Sequence, residues 1–467
     1  MKKYQYQQIA IDLEKKIAGK QWVSGEKLPS IRQLSEQYQL SKNTVIHALY
    51  ELEAAGLIEA RPKTGYFVTT VFQHKEPSRL APLTLTPTAV SMPVLFYDIM
   101  QRGAAFDILP NSPDSAPSNH LLSLNRQFNK AQRNSPQRKA MHYDSPMGSP
   151  ALRFQIKEHY RAIGLHLSED DFCITVGCQN ALFLALMVSC QPGDNVAVES
   201  PAFYGVLQLL EQLQLKVIEI SSSTTDGFNS QELEKALQKW PIRACVVTPA
   251  FATPSGASMP IDQQQKLINL ANEHDITVIE DDIYGDLCFG ERTRPIKALD
   301  TQERVILCSS FSKSLSRDIR LGWIAGGRWH AKIIRLKLVT QLASNQSSQE
   351  GLVEFMAEGH YRRHLHFYRQ ILKRQRDQLI LCLRKYWPQS IRFSIPQGGL
   401  VIWVQVDQDI DTATFYQQAL AEEIVLTPGA LFSACGYYKN YLRLSFAHPT
   451  VGNREKAIRK LGKILWP

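Results

Sequence analysis

From about residue 96 onward, short apolar runs recur between stretches with helical periodicity: 173–176 (CITV), 195–200 (NVAVES), 216–220 (KVIEI), 244–249 (ACVVTP), 276–282 (ITVIEDD), 304–310 (RVILCSS) and 323–327 (WIAGG). Such alternation predicts an α/β fold, a mostly parallel sheet whose two faces are covered by helices. Ligands of these folds gather at the carboxyl ends of the strands. No GxGxxG or GxxxxGK[ST] follows any run, which argues against dinucleotide and P-loop chemistry. The chain of 467 residues, 44% hydrophobic and 21% charged, has ordinary globular composition and room for more than one domain. No apolar run approaches the ~18 residues of a membrane span. Asp12 and Glu14 interrupt the N-terminal segment before any apolar signal core, so no secretion signal is expected. Eight dispersed cysteines without a CxxC pair, and histidines without HExxH spacing, fit reduced thiols in a cytoplasmic protein with no metal site.

The residues after these runs share one chemistry. Asp281, Asp282 and Tyr284 close or follow 276–282, and Phe311, Ser312 and Lys313 follow 304–310, with Arg320 seven residues further on. Gly177, Cys178, Gln179 and Asn180 lead from 173–176 into an apolar helix, and Pro254, Ser255 and Gly256 come after 244–249. A lysine at one strand end, an aspartate at another and a helix N-terminus at a third suit a phosphorylated pyridine aldehyde. The lysine forms a Schiff base with the aldehyde, the aspartate keeps the ring nitrogen protonated, and the helix N-terminus with Arg320 binds the phosphate. Singly, each has a plainer reading: Lys313 as a solvated surface side chain, Asp281 and Asp282 as helix caps or Mg²⁺ ligands, Gly177 as a turn, Arg320 as a surface cation.

The N-terminal segment reads differently. Residues 1–75 carry 11 Lys/Arg against 7 Asp/Glu, so four of the nine net positive charges sit on a short module. Ile9, Leu13 and Ile17 recur at helical spacing, Ser30 is placed to cap a second helix, and Lys42–Ala55 forms a third with Val45, Leu49 and Leu52 on one face. Two strand-like runs, 57–60 and 66–69, flank a basic tip at 61–65. This order predicts an α+β winged helix-turn-helix. Ser41, Lys42, Asn43 and Thr44 open the third helix, where short polar groups and free N–H groups can meet phosphates and base edges. Arg32 precedes them, and Arg61 and Lys63 flank the wing. Three-helix modules of this kind also bind proteins. The segment 71–95 has four spaced prolines and is expected to be a semi-extended linker between residues 1–70 and 96–467.

The string 28–68, with Leu-Pro-Ser-x-Arg, a Ser-x-x-Thr-Val helix start, Gly-Leu-Ile and a Gly-x-Phe-Val wing, resembles the GntR-type winged helix. The resemblance implies that Arg32, Lys42, Asn43 and Thr44 contact double-stranded operator DNA and that Gly65 lies at the wing tip. The strings 143–153 (YDSPMGSPALR), 175–182, 199–205, 248–256, 280–287, 309–323 and 441–446 are similar to fold-type I, pyridoxal-phosphate-dependent aminotransferases. That resemblance implies a mostly parallel-sheet large domain with a smaller C-terminal domain. Lys313 would be the Schiff-base lysine, Asp281 the partner of the pyridine nitrogen, and Tyr284 the donor to the 3′-oxygen. Gly177, Cys178, Gln179, Ser310 and Arg320 would surround the phosphate, and Phe203 would stack on the ring. Tyr143 would reach the phosphate of a partner subunit in a homodimer, and Arg443 would take an amino-acid carboxylate. The sequence departs from the family where Thr253 replaces the usual Asn beside the 3′-oxygen, and where Cys178 replaces Ser or Thr. A further departure is Ser316-Arg317-Asp318 in place of a frequent Pro-Gly.

Together the two parts resemble the MocR-type transcriptional regulators. The resemblance implies a regulator in which pyridoxal phosphate, and an amino acid or amine effector exchanging at Lys313, changes how paired winged helices engage DNA. The alternative is a working aminotransferase with an accessory DNA-binding domain.

Overall fold

A computed structural model describes residues 5–19, 21–23, 25–54, 57–61, 64–68, 75–78, 83–102, 119–134 and 143–466. The N-terminal unit packs three helices, α1 (Gln5–Ala18), α2 (Ile31–Tyr38) and α3 (Lys42–Ala54), against a hairpin of β1 (Ile58–Arg61) and β2 (Gly65–Val68). Ile9, Leu13 and Ile17 bury one face of α1 against Leu34, Val45, Leu49 and Leu52. Ser30 and Gln33 form a reciprocal capping box at the start of α2: the Gln33 N–H donates to Ser30 Oγ (3.3 Å), and the Ser30 N–H to Gln33 Oε1 (2.8 Å). Gln39, left-handed at φ 53°, ends that helix. Each strand lies one residue from its expected position. Ile58 and Val68 must face each other over the core, and the Thr64 N–H closes the turn on the Arg61 carbonyl at 3.0 Å.

The described residues of the proline-spaced segment, 75–78 and 83–95, contact the domain that follows. Thr88–Ala89 (β3) pairs antiparallel with the edge of the main sheet, and Trp240 Nε1 donates to the Leu85 carbonyl at 2.8 Å. A helix, Val94–Gln101, begins inside the last two residues of the segment, with Pro93 at its N-cap.

All seven apolar runs form strands of one sheet: β4 (Phe172–Thr175), β5 (Asn195–Ser200), β6 (Lys216–Ser223), β8 (Ile242–Val247), β9 (Thr277–Asp281), β10 (Val305–Ser310) and β11 (Gly322–Ala325). A short β7 (Gly227–Phe228) hangs on β6. The order is β3-β6-β5-β8-β9-β10-β11-β4, parallel from β6 to β10. β11 runs antiparallel to both neighbours, because residues 311–321 are too short a link for the crossover that a parallel return requires. Alternate residues serve opposite faces. Val196, Val198, Ala244 and Val246 join one apolar cluster, whereas Ala197, Cys245 and Val247 join another. A helix of 27 residues, His360–Tyr386, leads into the smaller domain. There β12 (Arg392–Phe393), β13 (Val401–Gln405) and β14 (Tyr441–Ser445) form an antiparallel sheet. Among the described residues no helix is long and apolar enough to cross a membrane.

Candidate functional site

The parallel pairing of β9 and β10 sets Cys308 opposite Asp281, so both strands deliver their carboxyl ends to one place. There Ser310 caps a single helical turn, Phe311–Ser314, with its Oγ accepting from the Ser312 N–H at 3.3 Å, and this turn presents Lys313. One cavity is lined by Cys178, Gln179, Phe203, Thr253, Asp281, Tyr284, Ser310, Lys313 and Arg320. Gly177 borders it at φ +81°, where a Cβ would come within 3.0 Å of the Arg320 guanidinium. The helix Cys178–Ser189 thus starts without a side-chain cap, and Arg320 lies across its N-terminus, donating to the Val176 carbonyl (3.3 Å) and Ser312 Oγ (3.5 Å).

The buried charges have identifiable causes. Burial pushes the Asp281 carboxyl up to about 6, against hydrogen bonds to its Oδ1 from Cys178 Sγ and the Ile283 N–H, each 3.2 Å. Cys178, expected beside the phosphate, therefore also directs its thiol at Asp281. Burial holds the Lys313 amine well below the ordinary lysine range; the charges of Arg317, Arg443 and Arg320 push the same way and Asp281 opposes them. A lysine so placed is a better nucleophile, because its neutral form is favoured. Burial raises the Tyr284 phenol, with Arg443 pulling it down. Arg443 itself is buried on β14 between the rings of Tyr204 (5.4 Å) and Phe432 (5.1 Å), near enough to act on Lys313 and Tyr284. Phe203 packs at 4.8 Å on Tyr204, and only glycine fits at 205, where a Cβ would stand 2.4 Å from the Phe203 ring. Tyr143 lies outside the cavity, 82% exposed.

Sequence reasoning assigned no role to Ser312 and passed over Ile283 and Leu182, which line the same cavity. Ser312 stands between Ser310 and Lys313 in the strand-end string, and that position was its only signal. It also passed over the buried network behind the Asp281 loop. Arg292 pairs there with Asp282 and Asp286, His159 Nε2 meets Asp286 at 2.9 Å, and Tyr160 donates to Asp282 at 2.8 Å. Asp282 and Asp286 lie in the string 280–287, but His159 and Tyr160 come from a segment that no motif joins to it.

On the N-terminal unit Arg32, Ser41, Lys42, Asn43, Arg61 and Gly65 are exposed and Thr44 is half-buried. Ser41 accepts the Thr44 N–H at 3.2 Å and so caps α3. Arg32 pairs with Glu36 at 3.0 Å, and Arg61 pairs with Glu59 and lies 4.3 Å over the Phe67 ring. Gly65 has φ +114°, and the Lys27 side chain crosses it so closely that a Cβ would lie 3.1 Å from Lys27 Cε. Lys27 thereby joins the basic wing, a position no motif indicated. Lys63 lies outside the described residues.

The residues fit pyridoxal phosphate. An uncapped helix N-terminus and a guanidinium lie beside a glycine turn, a buried aspartate shares the cavity with a half-buried lysine, and an aromatic ring forms a wall. Fold and site define a class of protein: an aminotransferase-type cofactor domain joined to a winged helix. The model of aminotransferase class I and II, a pyridoxal-phosphate-dependent family, matches residues 114–461, and that of the gntR family of bacterial regulatory proteins matches 5–68. The chain is 35% identical to the uncharacterized HTH-type transcriptional regulator YjiR of Escherichia coli K12, over 99% of this chain and 98% of that one. It is 26% identical to the HTH-type transcriptional regulator NorG of Staphylococcus aureus, over 93% and 98%. A kynurenine aminotransferase structure from Pyrococcus horikoshii, in complex with PMP, covers 80% of this chain and 95% of its own at 27% identity and TM-score 0.71. The chain belongs to the MocR-type family, in which a GntR-type DNA-binding domain is fused to a class I and II aminotransferase domain.

Proposed function

We propose that this chain is a cytoplasmic, homodimeric transcriptional regulator that reads operator DNA with α3 and the wing and senses pyridoxal phosphate, with an amino acid or amine, in the cavity of Lys313. The observation that carries the reading is the coexistence, in one chain, of an exposed polar and basic α3 start with a cavity that brings Lys313 and Asp281 together. When bound, pyridoxal phosphate supplies an aldehyde that condenses with amines and a ring that draws electrons. Lys313 would hold the aldehyde end through its amine, and Asp281 would hold a proton on the ring nitrogen. Gly177, Cys178, Gln179, Ser310 and Arg320 would receive the phosphate, and Phe203 would orient the ring. Tyr284 donates toward the ring's 3′-oxygen, with Thr253 beside it. Arg443 offers a buried bidentate donor to an effector carboxylate, and Tyr143 extends toward a partner subunit. Arg32, Ser41, Lys42, Asn43 and Thr44, with Arg61, Lys63 and Gly65 on the wing, meet DNA.

The test pairs two readouts. Fluorescence anisotropy on a duplex selected by the protein from a random-sequence library should show specific binding whose affinity changes when cofactor and amine are added. Lys313→Ala should abolish the absorbance band of the Schiff base between cofactor and protein. Failure to select any duplex overturns the regulator reading, and sustained amino transfer to a 2-oxo acid would instead make the chain an enzyme.

A further inference from the structure

We infer that the long helix His360–Tyr386 is the element that couples the Lys313 cavity to the DNA-reading helix α3. The inference rests on the sensor reading above and names the route by which the site is read out.

One end of the helix grips both segments that frame the cavity. Ser314, the residue after Lys313, is held twice: its Oγ lies 2.8 Å from the Tyr361 hydroxyl, and its carbonyl oxygen 2.9 Å from His364 Nε2. Tyr361 and His364 are three residues apart and share a helix face. The opposite segment, which runs from Asp281 through Tyr284, is held at Asp286. Its carboxylate accepts from Tyr361 at 2.7 Å and its carbonyl from Arg369 Nε at 2.6 Å. A single hydroxyl, that of Tyr361, thus touches both sides. All of these groups but Arg369 are buried, and Arg292 and His159 lock Asp286 from behind. Buried, mutually satisfied polar contacts shift between discrete arrangements rather than stretch.

The middle of the same helix touches the DNA-binding unit. Lys373 Nζ lies 2.7 Å from Glu51 Oε1 on α3. Lys373 stands twelve residues beyond Tyr361, roughly 18 Å along a rigid helix axis. Glu51 lies two turns beyond Thr44, so the joint leaves the start of α3 exposed for DNA while touching its other half. The pair is partly exposed, with side-chain exposures of 38% and 32%. A pair of this kind contributes little to stability, so a small displacement suffices to make or break it. A shift of the Lys313–Ser314 turn on ligand exchange is thereby delivered to α3.

The experiment measures the affinity of the full chain for its selected duplex without additions, with pyridoxal phosphate, and with pyridoxal phosphate plus a mixture of common amino acids and short-chain amines. The ratio of these affinities in the wild type is expected to be at least fivefold. Lys373→Glu should bring it close to one, leaving the visible absorbance of bound cofactor and the specific DNA binding in place. The charge swap Lys373→Glu with Glu51→Lys should restore the ratio, and Tyr361→Phe should lower it from the other end. A wild-type ratio retained in Lys373→Glu, or a swap that restores nothing, overturns the coupling route. A ratio of one in the wild type overturns the sensor reading itself.

Discussion

Asp281 shows how one residue reports on the whole site. Its carboxyl is raised to about 6 by burial, above the ~3.9 of an unfolded chain. For the protein without ligand, this group's contribution to stability is therefore complete below about 4 and lost as pH rises through about 6. Cofactor binding has the opposite sign, because only the ionised carboxylate can pair with a protonated ring nitrogen. Affinity for pyridoxal phosphate should fall as pH drops through about 6, and Asp281→Asn should bind weakly with that step abolished, both read by absorbance titration. The place of Asp281 in the cavity was legible from its position at a strand end. The thiol of Cys178 as its hydrogen-bond donor was not, because the two residues are brought together only by β4 and β9 sharing a sheet.

At the scale of elements, local rules were reliable wherever a short stretch of chain holds its own reason. Ser30 and Gln33 satisfy each other's backbone donors at the start of α2. Ser30→Ala should cost about 1 kcal/mol of local stability, seen as roughly fivefold faster hydrogen exchange across Ile31–Tyr38. The apolar runs were equally legible, since strands buried on both faces need continuous apolar sequence. Strand direction was less so: β11 reads like its neighbours but runs against them, because β10 leads into a short loop carrying Lys313 and Arg320 rather than into a crossover helix. The segment at 88–89 gave no strand signal because two residues carry no periodicity; the partner edge of β6 defines it.

For the whole molecule, the proposed function has two anions meeting two kinds of surface. The DNA face is exposed and basic, so operator affinity should fall steeply with salt, by roughly 10³ or more between 50 and 200 mM if about six phosphates are contacted. Lys42→Ala should reduce the log–log salt slope by about 1, measured by anisotropy. Affinity for the cofactor phosphate, assigned by the proposed function to a helix N-terminus and Arg320 within a cavity, should change little over the same range. The charge asymmetry behind this contrast is present in the sequence: four of nine net charges lie within 75 residues. By itself the sequence determined the winged helix and the α/β sheet, and it singled out Lys313, Asp281 and Arg320, which the fold brings to one cavity, because each depends on periodicity or on position after a strand. Only the tertiary structure decided that Ser314 and Asp286 hang from one helix, that Arg292 and His159 lock the loop behind the cavity, and that Lys373 meets Glu51. Those contacts join residues far apart in the chain, and nothing local selects such a pair until the sheet and the long helix have placed both.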